Sequence, residues 1–186
     1  KVVTVLEPSL TRWTDAVVVT ADSHAIPFRE AGQSVVVLHN FPLLDDFHPK
    51  RGDNKKSVIH VGEQTRIRGC SVLIEAMSSV TAQVPDARLL LVGRFDDQDY
   101  RVEINRLISS YGLDESVVLT GEVPYADVPA WLGQADVGLI ALQEAENFKT
   151  SIPTKLFEYM ASGIPVVSSD LPPTRQFTEG LNCSLM

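Results

Sequence analysis

The amino-acid sequence predicts an α/β fold, a parallel β-sheet with helices on both faces. Two observations lead to this fold class. Short apolar runs, rich in β-branched residues, recur along the 186-residue chain, and segments with helical spacing separate them. The runs are apolar throughout instead of alternating with polar residues, which is typical of strands buried on both faces. Repeated β–α–β units account for both patterns, and their crossovers are expected to be right-handed.

The strand-like runs and the helical patterns alternate in a regular order. The predicted strands are residues 15–21, 34–40, 57–63, 87–93, 116–123, 136–142 and 164–170. The predicted helices are residues 23–32, 70–84, 100–112, 126–135 and 151–162. Proline or glycine ends several of the helical patterns, for example Pro85 and Gly112, because these residues interrupt or close a helix.

Composition and charge exclude several classes of protein. The chain is 44% hydrophobic and 22% charged, as is usual for a globular protein, and its formal net charge is −8. A nucleic acid or an anionic membrane surface is therefore not expected as the main partner, since both bind basic faces. No apolar run approaches the ~20 residues of a transmembrane helix, which leaves only peripheral membrane association open. Cys70 and Cys183 lack metal-ligand spacing and are expected to be reduced thiols of a cytoplasmic protein.

A charged, turn-rich segment divides the chain. Residues 40–56 read NFPLLDDFHPKRGDNKK, which is longer than the usual connection between two elements. We therefore interpret residues 1–41 as the tail of one domain, residues 42–56 as an interdomain connection and residues 57–186 as a second domain. The chain ends soon after its last predicted strand without a further predicted helix, so the second domain is expected to be truncated at its end.

The carboxyl ends of the predicted strands form the expected ligand-binding edge, because open parallel sheets bind ligands there. Gly62, Gly93 and Gly121 lie at three of these ends. A glycine allows a ligand or the start of a helix to approach the backbone closely.

The segment NFKTSIPTKLFEYMASGIPVVSSD, residues 147–170, is the most informative part of the sequence. The polar face of a helix over 151–162 would consist of Ser151, Thr154, Lys155, Glu158 and Ser162. Pro153 suits the first turn of that helix, and free N–H groups beside Lys155 would form an anion site. A phosphate bound there would bring an attached ribose within reach of the Glu158 carboxylate. The alternative is a solvent-exposed ion pair between Glu158 and Lys155, and periodicity alone favours that alternative.

Five segments resemble motifs of retaining GT-B glycosyltransferases, the glycogen-synthase-like and mannosyltransferase-like group. They are VVVLHNFPLLDDF (35–47), VIHVGEQTRIRGCSVLIEAM (58–77), ARLLLVG (87–93), VVLTGEVPYADVPAWLGQADVGLIAL (117–142) and TKLFEYMASGIPVVSSD (154–170). Each motif is moderately specific, but all five follow in family order and with family spacing. The resemblance spans residues 16–182.

The resemblance implies a fold of two Rossmann-like domains, of which the C-terminal one holds a nucleotide-diphospho-sugar. Residues 57–186 then correspond to most of the C-terminal domain, and residues 1–41 to the last elements of the N-terminal domain. The implied activity is a hexosyltransferase-type reaction that transfers the sugar, with retention, to an unknown acceptor. Neither a cofactor nor a metal is implied. Because acceptor contacts in this family lie mostly in the N-terminal domain, the isolated chain is expected to be inactive.

The residue roles of the family transfer to this sequence position by position. The glutamate that binds the ribose hydroxyls falls on Glu158, so the resemblance favours the ribose role over the ion pair. The first family glutamate falls on Thr150, which alters the contact with the sugar ring. The family arginine that binds phosphate falls on Glu63, a reversal of charge. Arg68 replaces the lysine of a Lys-Gly motif and can still bind a diphosphate bidentately, while Arg66 is a candidate for the missing charge.

Other donor contacts follow from the same resemblance, in which backbone after the fifth predicted strand contacts the nucleobase and a glycine admits the phosphates. The candidate donor-binding residues are therefore Gly62, Arg66, Arg68, Val123, Pro124, Thr150, Ser151, Thr154, Lys155 and Glu158. No catalytic residue is assigned.

Two other functions are consistent with the sequence. The first is a sugar-nucleotide epimerase of the same architecture, although the segment around Glu158 favours a transferase. The second is a degenerate GT-B module without catalysis, which Thr150 and Glu63 support because both depart from the family pattern.

Overall fold

The computed structural model describes residue 7 and residues 9–47, 56–180 and 184–185. Its strands are β1 (Val17–Val19), β2 (Val35–Val37), β3 (Ser57–Val61), β4 (Arg88–Val92), β5 (Val117–Gly121), β6 (Val137–Ile140), β7 (Val166–Ser168) and β8 (Ser184–Leu185). Its α-helices are α1 (Asp22–Glu30), α2 (Cys70–Gln83), α3 (Gln98–Ser110), α4 (Val128–Leu132), α5 (Thr154–Ala161) and α6 (Pro172–Thr178).

The main sheet has six parallel strands in the order β5-β4-β3-β6-β7-β8. The chain enters this sheet at β3, moves outward to β5 and returns to place β6 on the other side of β3. The strand order thus reverses between β3 and β6, and ligands bind at such a switch point in doubly wound sheets. This architecture confirms the predicted fold class.

Strand β4 shows why the predicted strands lack polar alternation. Leu89 and Leu91 pack into a core on one face of the sheet, while Leu90 and Val92 pack into a second core on the other. Both faces are covered by helices, so the four residues that follow Arg88 in this strand are all apolar and buried. Helices α2 and α3 contribute to the core that contains Leu89 and Leu91, and helices α4 and α5 contribute to the core that contains Leu90 and Val92.

Strands β1 and β2 form a separate two-stranded parallel sheet, in which Val17 pairs with Val35. Helix α1 contacts both strands. Both strands lie within residues 1–41, the segment predicted to belong to another domain. The domain boundaries stay a prediction. Residues 48–55 of the predicted connection lie outside the described part of the chain.

The helix expected over 151–162 is shorter than predicted, because α5 begins at Thr154 and Pro153 occupies its N-cap position. The ring of a proline disfavours helical backbone at the preceding residue, here Ile152, so the helix cannot extend further back. The residues Ser151 and Ile152 therefore belong to the loop before α5.

The chain also contains elements after the last predicted strand. Helix α6 begins with Pro172 and Pro173, and β8 pairs in parallel with β7. The prediction that no helix follows residue 170 was therefore wrong. A proline pair suggests a break in structure, but proline is also favoured in the first turn of a helix, where its missing N–H costs nothing.

Candidate functional site

A cleft of about 390 Å³ lies at the carboxyl ends of β3 and β4, beside the start of α5. It is lined by Val61, Gly62, Glu63, Arg68, Val92, Gly93, Arg94, Glu122, Val123, Tyr125, Val128, Thr154, Lys155 and Glu158. This is the edge of the sheet at which the sequence predicted ligand binding. Five elements that are distant in the chain contribute to it.

The floor of the cleft is the backbone at the end of β3. Gly62 has a φ of 117°, a conformation that residues with a side chain rarely adopt. A Cβ placed on Gly62 would lie 3.1 Å from Arg68 Nη1 and 3.5 Å from Lys155 Nζ. The two cations therefore converge on the space that a side chain would otherwise fill. Two positive charges on a concave, open floor form an anion-binding arrangement.

Lys155 is the buried cation of the pair, with a relative exposure of 6%. Its ammonium lies 3.2 Å from Nε2 of His60, which is fully buried below it. Burial, and after it the charge of Arg68, lower the pKa of Lys155 to about 7, against a smaller opposing effect from the charge of Glu158. An anion in the cleft would favour the charged form of this lysine.

Glu158 lies one helical turn beyond Thr154 and faces the same cleft. It is 9% exposed, and burial raises its pKa, whereas the hydroxyl of Tyr125 and the charge of Lys155 lower it. The alternative of a solvent-exposed ion pair between Glu158 and Lys155 was therefore wrong, since both side chains are buried. The polar face of α5 lines the cleft instead of facing bulk water.

Glu63 and Arg68 form an ion pair of 3.4 Å at the edge of the cleft, each with about a third of its side chain exposed. The reversed charge at position 63 thus partly neutralises the arginine that replaces the family lysine. Arg94 also lines the cleft and pairs with Asp96 at 2.8 Å and with Glu122 at 3.6 Å. Arg94 lies just after β4, where open parallel sheets bind ligands, but it is not among the candidate donor-binding residues.

Arg66 points away from the cleft and does not supply the charge missing at position 63. Its guanidinium pairs with Glu103 at 2.7 Å and lies 4.4 Å above the ring of Tyr100. Both partners belong to α3, and Arg66 is not among the residues that line the cleft. Arg66 and Arg68 are two positions apart in a single turn, so their side chains leave it in different directions.

The remaining candidates divide between the cleft and its surroundings. Val123 and Thr154 line the cleft, whereas Pro124 caps the short turn that follows β5. The carbonyl of Thr150 accepts a hydrogen bond of 2.5 Å from the hydroxyl of Ser23, at the start of α1. Thr150 therefore borders a second cavity.

Ser151 lines a third cavity, and Thr154 lines both this cavity and the cleft described above. The predicted donor residues consequently surround adjoining cavities and not a single one.

Metal and membrane binding were examined over the same residues. Among the described residues, no group of three or more His, Cys, Asp or Glu side chains could hold a metal ion. None of the helices in the described ranges is long and apolar enough to cross a membrane. Cys70 is a buried free thiol, and Cys183 lies outside the described residues.

The doubly wound sheet and its cleft at the switch point define a Rossmann-like α/β protein of the GT-B type. The chain belongs to the family described as Glycosyl transferases group 1, whose model matches residues 55–185. The resemblance of the motifs to GT-B glycosyltransferases is thereby confirmed at the level of the family.

Two curated relatives illustrate the match. The phosphatidyl-myo-inositol mannosyltransferase of Mycobacterium leprae (strain TN) is 34% identical over 146 residues, which cover 78% of this chain and 35% of the relative. The amylovoran biosynthesis glycosyltransferase AmsK of Erwinia amylovora is 30% identical over 133 residues, which cover 70% of this chain and 30% of the relative. The chain thus spans about a third of the length of these relatives.

Among solved structures, Anabaena Alr3699/HepE in complex with UDP-glucose superposes with a TM-score of 0.77 at 22% identity. The match covers 98% of this chain and 53% of that chain. At this level of identity, the comparison establishes the shared fold.

Proposed function

We propose that this protein is a retaining glycosyltransferase of the hexosyltransferase type, which binds a nucleotide-diphospho-sugar in the cleft and transfers the sugar to an acceptor. One observation carries the proposal. The ammonium of Lys155 and the guanidinium of Arg68 converge on Gly62 at the end of β3, with Glu158 one turn along α5. Membership of the glycosyl transferases group 1 family supports transfer as the reaction, and the motif resemblance supports retention.

The diphosphate is assigned to the floor of the cleft. Arg68 offers a planar pair of donors and Lys155 a compact charge, and α5 begins at Thr154, which lines the same cleft. As the bond between sugar and diphosphate breaks, negative charge grows on the diphosphate. These fixed positive groups stabilise that charge more strongly than they stabilise the bound donor, which lowers the barrier.

The nucleoside is assigned to the wall formed by α5 and the loop after β5. The Glu158 carboxylate accepts two hydrogen bonds from the ribose diol, while the backbone at Val123 contacts the base. Tyr125 at the rim is 57% exposed, and its hydroxyl donates a hydrogen bond to the Glu158 carboxylate.

We assign the stabilisation of the negative charge on the leaving diphosphate to cationic side chains and not to a metal ion. Arg68 and Lys155 occupy the floor, and Arg94 lines the same cleft, so the protein itself provides the cations that a diphosphate requires. No divalent cation is expected to be needed for binding.

A non-catalytic nucleotide-binding module is the competing proposal, and one observation favours it. Thr150 stands in place of a family glutamate, and its carbonyl is engaged by Ser23 beside a different cavity. Such a module would bind the donor but transfer nothing.

The test is calorimetric titration of the purified protein with UDP, GDP, ADP, dTDP and their sugar conjugates, with and without EDTA. We expect micromolar to millimolar binding of one nucleotide series, unchanged by EDTA. Incubation of the protein with donor and acceptor extract, followed by NMR of the product anomer, then examines transfer and retention. Absence of nucleotide binding contradicts the proposal, and binding without transfer by the intact enzyme supports the non-catalytic module.

A further inference from the structure

His60 is a buried titratable side chain that the proposed function does not use. It lies at the penultimate position of β3, with no exposed surface, between β6 and α5. Its Nδ1 is 3.1 Å from the carbonyl oxygen of Leu139, and its Nε2 is 3.2 Å from Nζ of Lys155. The imidazole therefore bridges the sheet backbone and the cation of the cleft.

The two contacts determine which nitrogen carries the proton. A carbonyl oxygen can only accept, so Nδ1 must donate to Leu139 and Nε2 is left with a lone pair. The lone pair then accepts a hydrogen bond from the ammonium of Lys155. Burial, together with the positive charges of Lys155 and Arg68, holds the pKa of His60 well below its ordinary value, so the ring stays neutral.

We propose that His60 is a positioning residue for the diphosphate site, which holds the ammonium of Lys155 over Gly62 by a hydrogen bond from Lys155 to Nε2. This inference rests on the proposed function, because it concerns the same cleft. Lysine has four rotatable side-chain bonds, and a fixed acceptor at its tip reduces the freedom that a ligand would otherwise have to restrict.

The surroundings explain why a neutral acceptor suits this position. The charged and titratable groups that face Lys155 are Arg68 from the short helix after β3, Glu158 from its own helix and His60 from the sheet. A carboxylate at position 60 would neutralise the ammonium, as Glu63 partly does to Arg68. An imidazole orients the ammonium and leaves its charge available to a phosphate.

The hydroxyl of Tyr159, also on α5, makes further contacts beside His60 and Lys155. It contacts the Leu139 carbonyl at 3.2 Å and accepts a hydrogen bond of 3.1 Å from the backbone N–H of Val61. The Leu139 carbonyl is therefore a shared anchor for His60 and Tyr159, and Lys155 lies four residues before Tyr159 on the same helix. The position of Lys155 is fixed through its backbone by α5 and through its tip by His60.

A matched pair of variants separates the two contacts of the ring. In His60→Gln the amide oxygen reaches the place of Nε2 and can accept from Lys155, whereas in His60→Asn the shorter amide reaches only the place of Nδ1. We expect His60→Gln to bind nucleoside diphosphates within about threefold of the parent. His60→Asn should bind them about tenfold more weakly, since a hydrogen bond to a charged group is lost, with free nucleoside unaffected.

The pH profile distinguishes positioning from a merely structural role. In the parent, affinity for a nucleoside diphosphate should fall as pH rises through about 7, because Lys155 loses its charge in the free protein. In His60→Asn the ammonium lacks its acceptor, so that fall should move to lower pH. A structural role would weaken nucleoside and diphosphate alike and leave the midpoint in place. Parental affinity with an unmoved midpoint in His60→Asn, or a loss in His60→Gln equal to that in His60→Asn, overturns the inference.

A ligand-free measurement keeps this inference separate from the proposed function. Imidazole ¹⁵N NMR of the parent should show a neutral His60 protonated on Nδ1 from pH 5.5 to 8.5, and an Nε2–H tautomer refutes the hydrogen bond from Lys155. If no nucleotide binds the parent, the proposed function fails by itself. In that case a pH titration of the ¹³Cε chemical shift of Lys155 in the parent and in His60→Asn still shows whether His60 stabilises the ammonium form of Lys155.

Discussion

Lys155 is a residue whose position suits binding better than stability. A lysine that is 6% exposed has lost most of its hydration, which lowers its pKa from 10.5 to about 7. Between these two values the unfolded chain binds more protons than the folded one. The free energy of unfolding should therefore rise with pH across this window, and the cost of burying the charge is greatest at and below pH 7.

Replacement of Lys155 by methionine should accordingly stabilise the protein while removing its function. At pH 7 we expect a gain of about 1 kcal/mol in the free energy of unfolding, because a buried charge is replaced by an apolar chain of similar length. Binding of nucleoside diphosphates should be lost. Urea denaturation and calorimetry measure the two effects, and a less stable Lys155→Met variant would show that the ammonium contributes to the fold.

Glu158 is the second buried charged residue to which we assign a role in ligand binding. Glu158→Gln retains the shape of the side chain but removes its charge, so nucleotide binding should weaken by roughly 1.5–3 kcal/mol, the value of hydrogen bonds to a charged group. The matched control is Glu103→Gln, which removes an exposed carboxylate that pairs with Arg66 outside the cleft. Titration of both variants with the same nucleotide decides the matter, and equal affinities for the two would remove Glu158 from the site.

Arg68 and Arg66 provide a comparison within one turn of helix. Arg68→Ala should weaken diphosphate conjugates by about tenfold or more and leave the free nucleoside unchanged, because only the diphosphate contacts the guanidinium. Arg66→Ala should leave both affinities within about twofold, since its partner Glu103 lies on α3. Isothermal titration with nucleoside and nucleoside diphosphate is the measurement. Equal losses for the two ligands in Arg68→Ala would exclude it from the diphosphate site.

Helix α5 contributes Thr154, Lys155 and Glu158 to the cleft. Its distance from the sheet depends on Gly138 in β6. A Cβ at Gly138 would lie 2.4 Å from Cδ2 of Tyr159, well inside contact distance. The helix therefore rests directly on the strand backbone, which brings Lys155 to His60 and Tyr159 to the Leu139 carbonyl. A single small residue in a strand thus determines the geometry of two side chains on the facing helix.

The variant Gly138→Ala should push α5 outward. Overpacking a tight contact costs about 1–3 kcal/mol of folding free energy, and the contact of Lys155 with His60 should lengthen. We expect lower stability together with weaker diphosphate binding, measured by thermal denaturation and by titration. Unchanged binding in a destabilised variant would indicate that α5 and β3 move together and keep the cleft intact.

At the scale of the whole molecule, β1 and β2 stand apart from the main sheet. Parallel strands are almost always covered on both faces, yet Val18 is 61% exposed and Val36 is 45% exposed. The relatives are more than twice as long as this chain, and only about a third of each is matched. The assignment of this strand pair to an N-terminal domain stays a prediction, and the exposure of its valines is what that prediction would lead one to expect.

This chain by itself is accordingly expected to transfer no sugar, even where it binds the donor. Proximity of an oriented acceptor provides a large part of the rate in group transfer, and a closed cleft excludes water. The measurement compares this chain with a longer protein that contains both domains, using the same donor and acceptor extract. Comparable turnover by the two proteins would contradict both the domain assignment and the shared active site.

Local patterns in the sequence determined the elements and the chemistry of the main helix. Apolar runs without alternation indicated a parallel sheet, because strands buried on both faces have no polar side. The spacing of Lys155 and Glu158 placed them on one face of a helix, because helical periodicity is a local property. The resemblance of the motifs then assigned that face to a donor site, which stays a prediction, while the family match confirms the family.

Contacts between distant segments decided what periodicity could not. Two neighbouring arginines at 66 and 68 are equivalent in sequence, and only the packing of α3 directs one of them away from the cleft. The burial of Lys155 and its contact with His60, 95 residues earlier in the chain, depend on how α5 lies across the sheet. Such distances depend on side-chain volumes at sites like Gly138 and on the direction in which each turn projects its residues. These quantities arise when the elements pack together, because no single segment of the chain contains them.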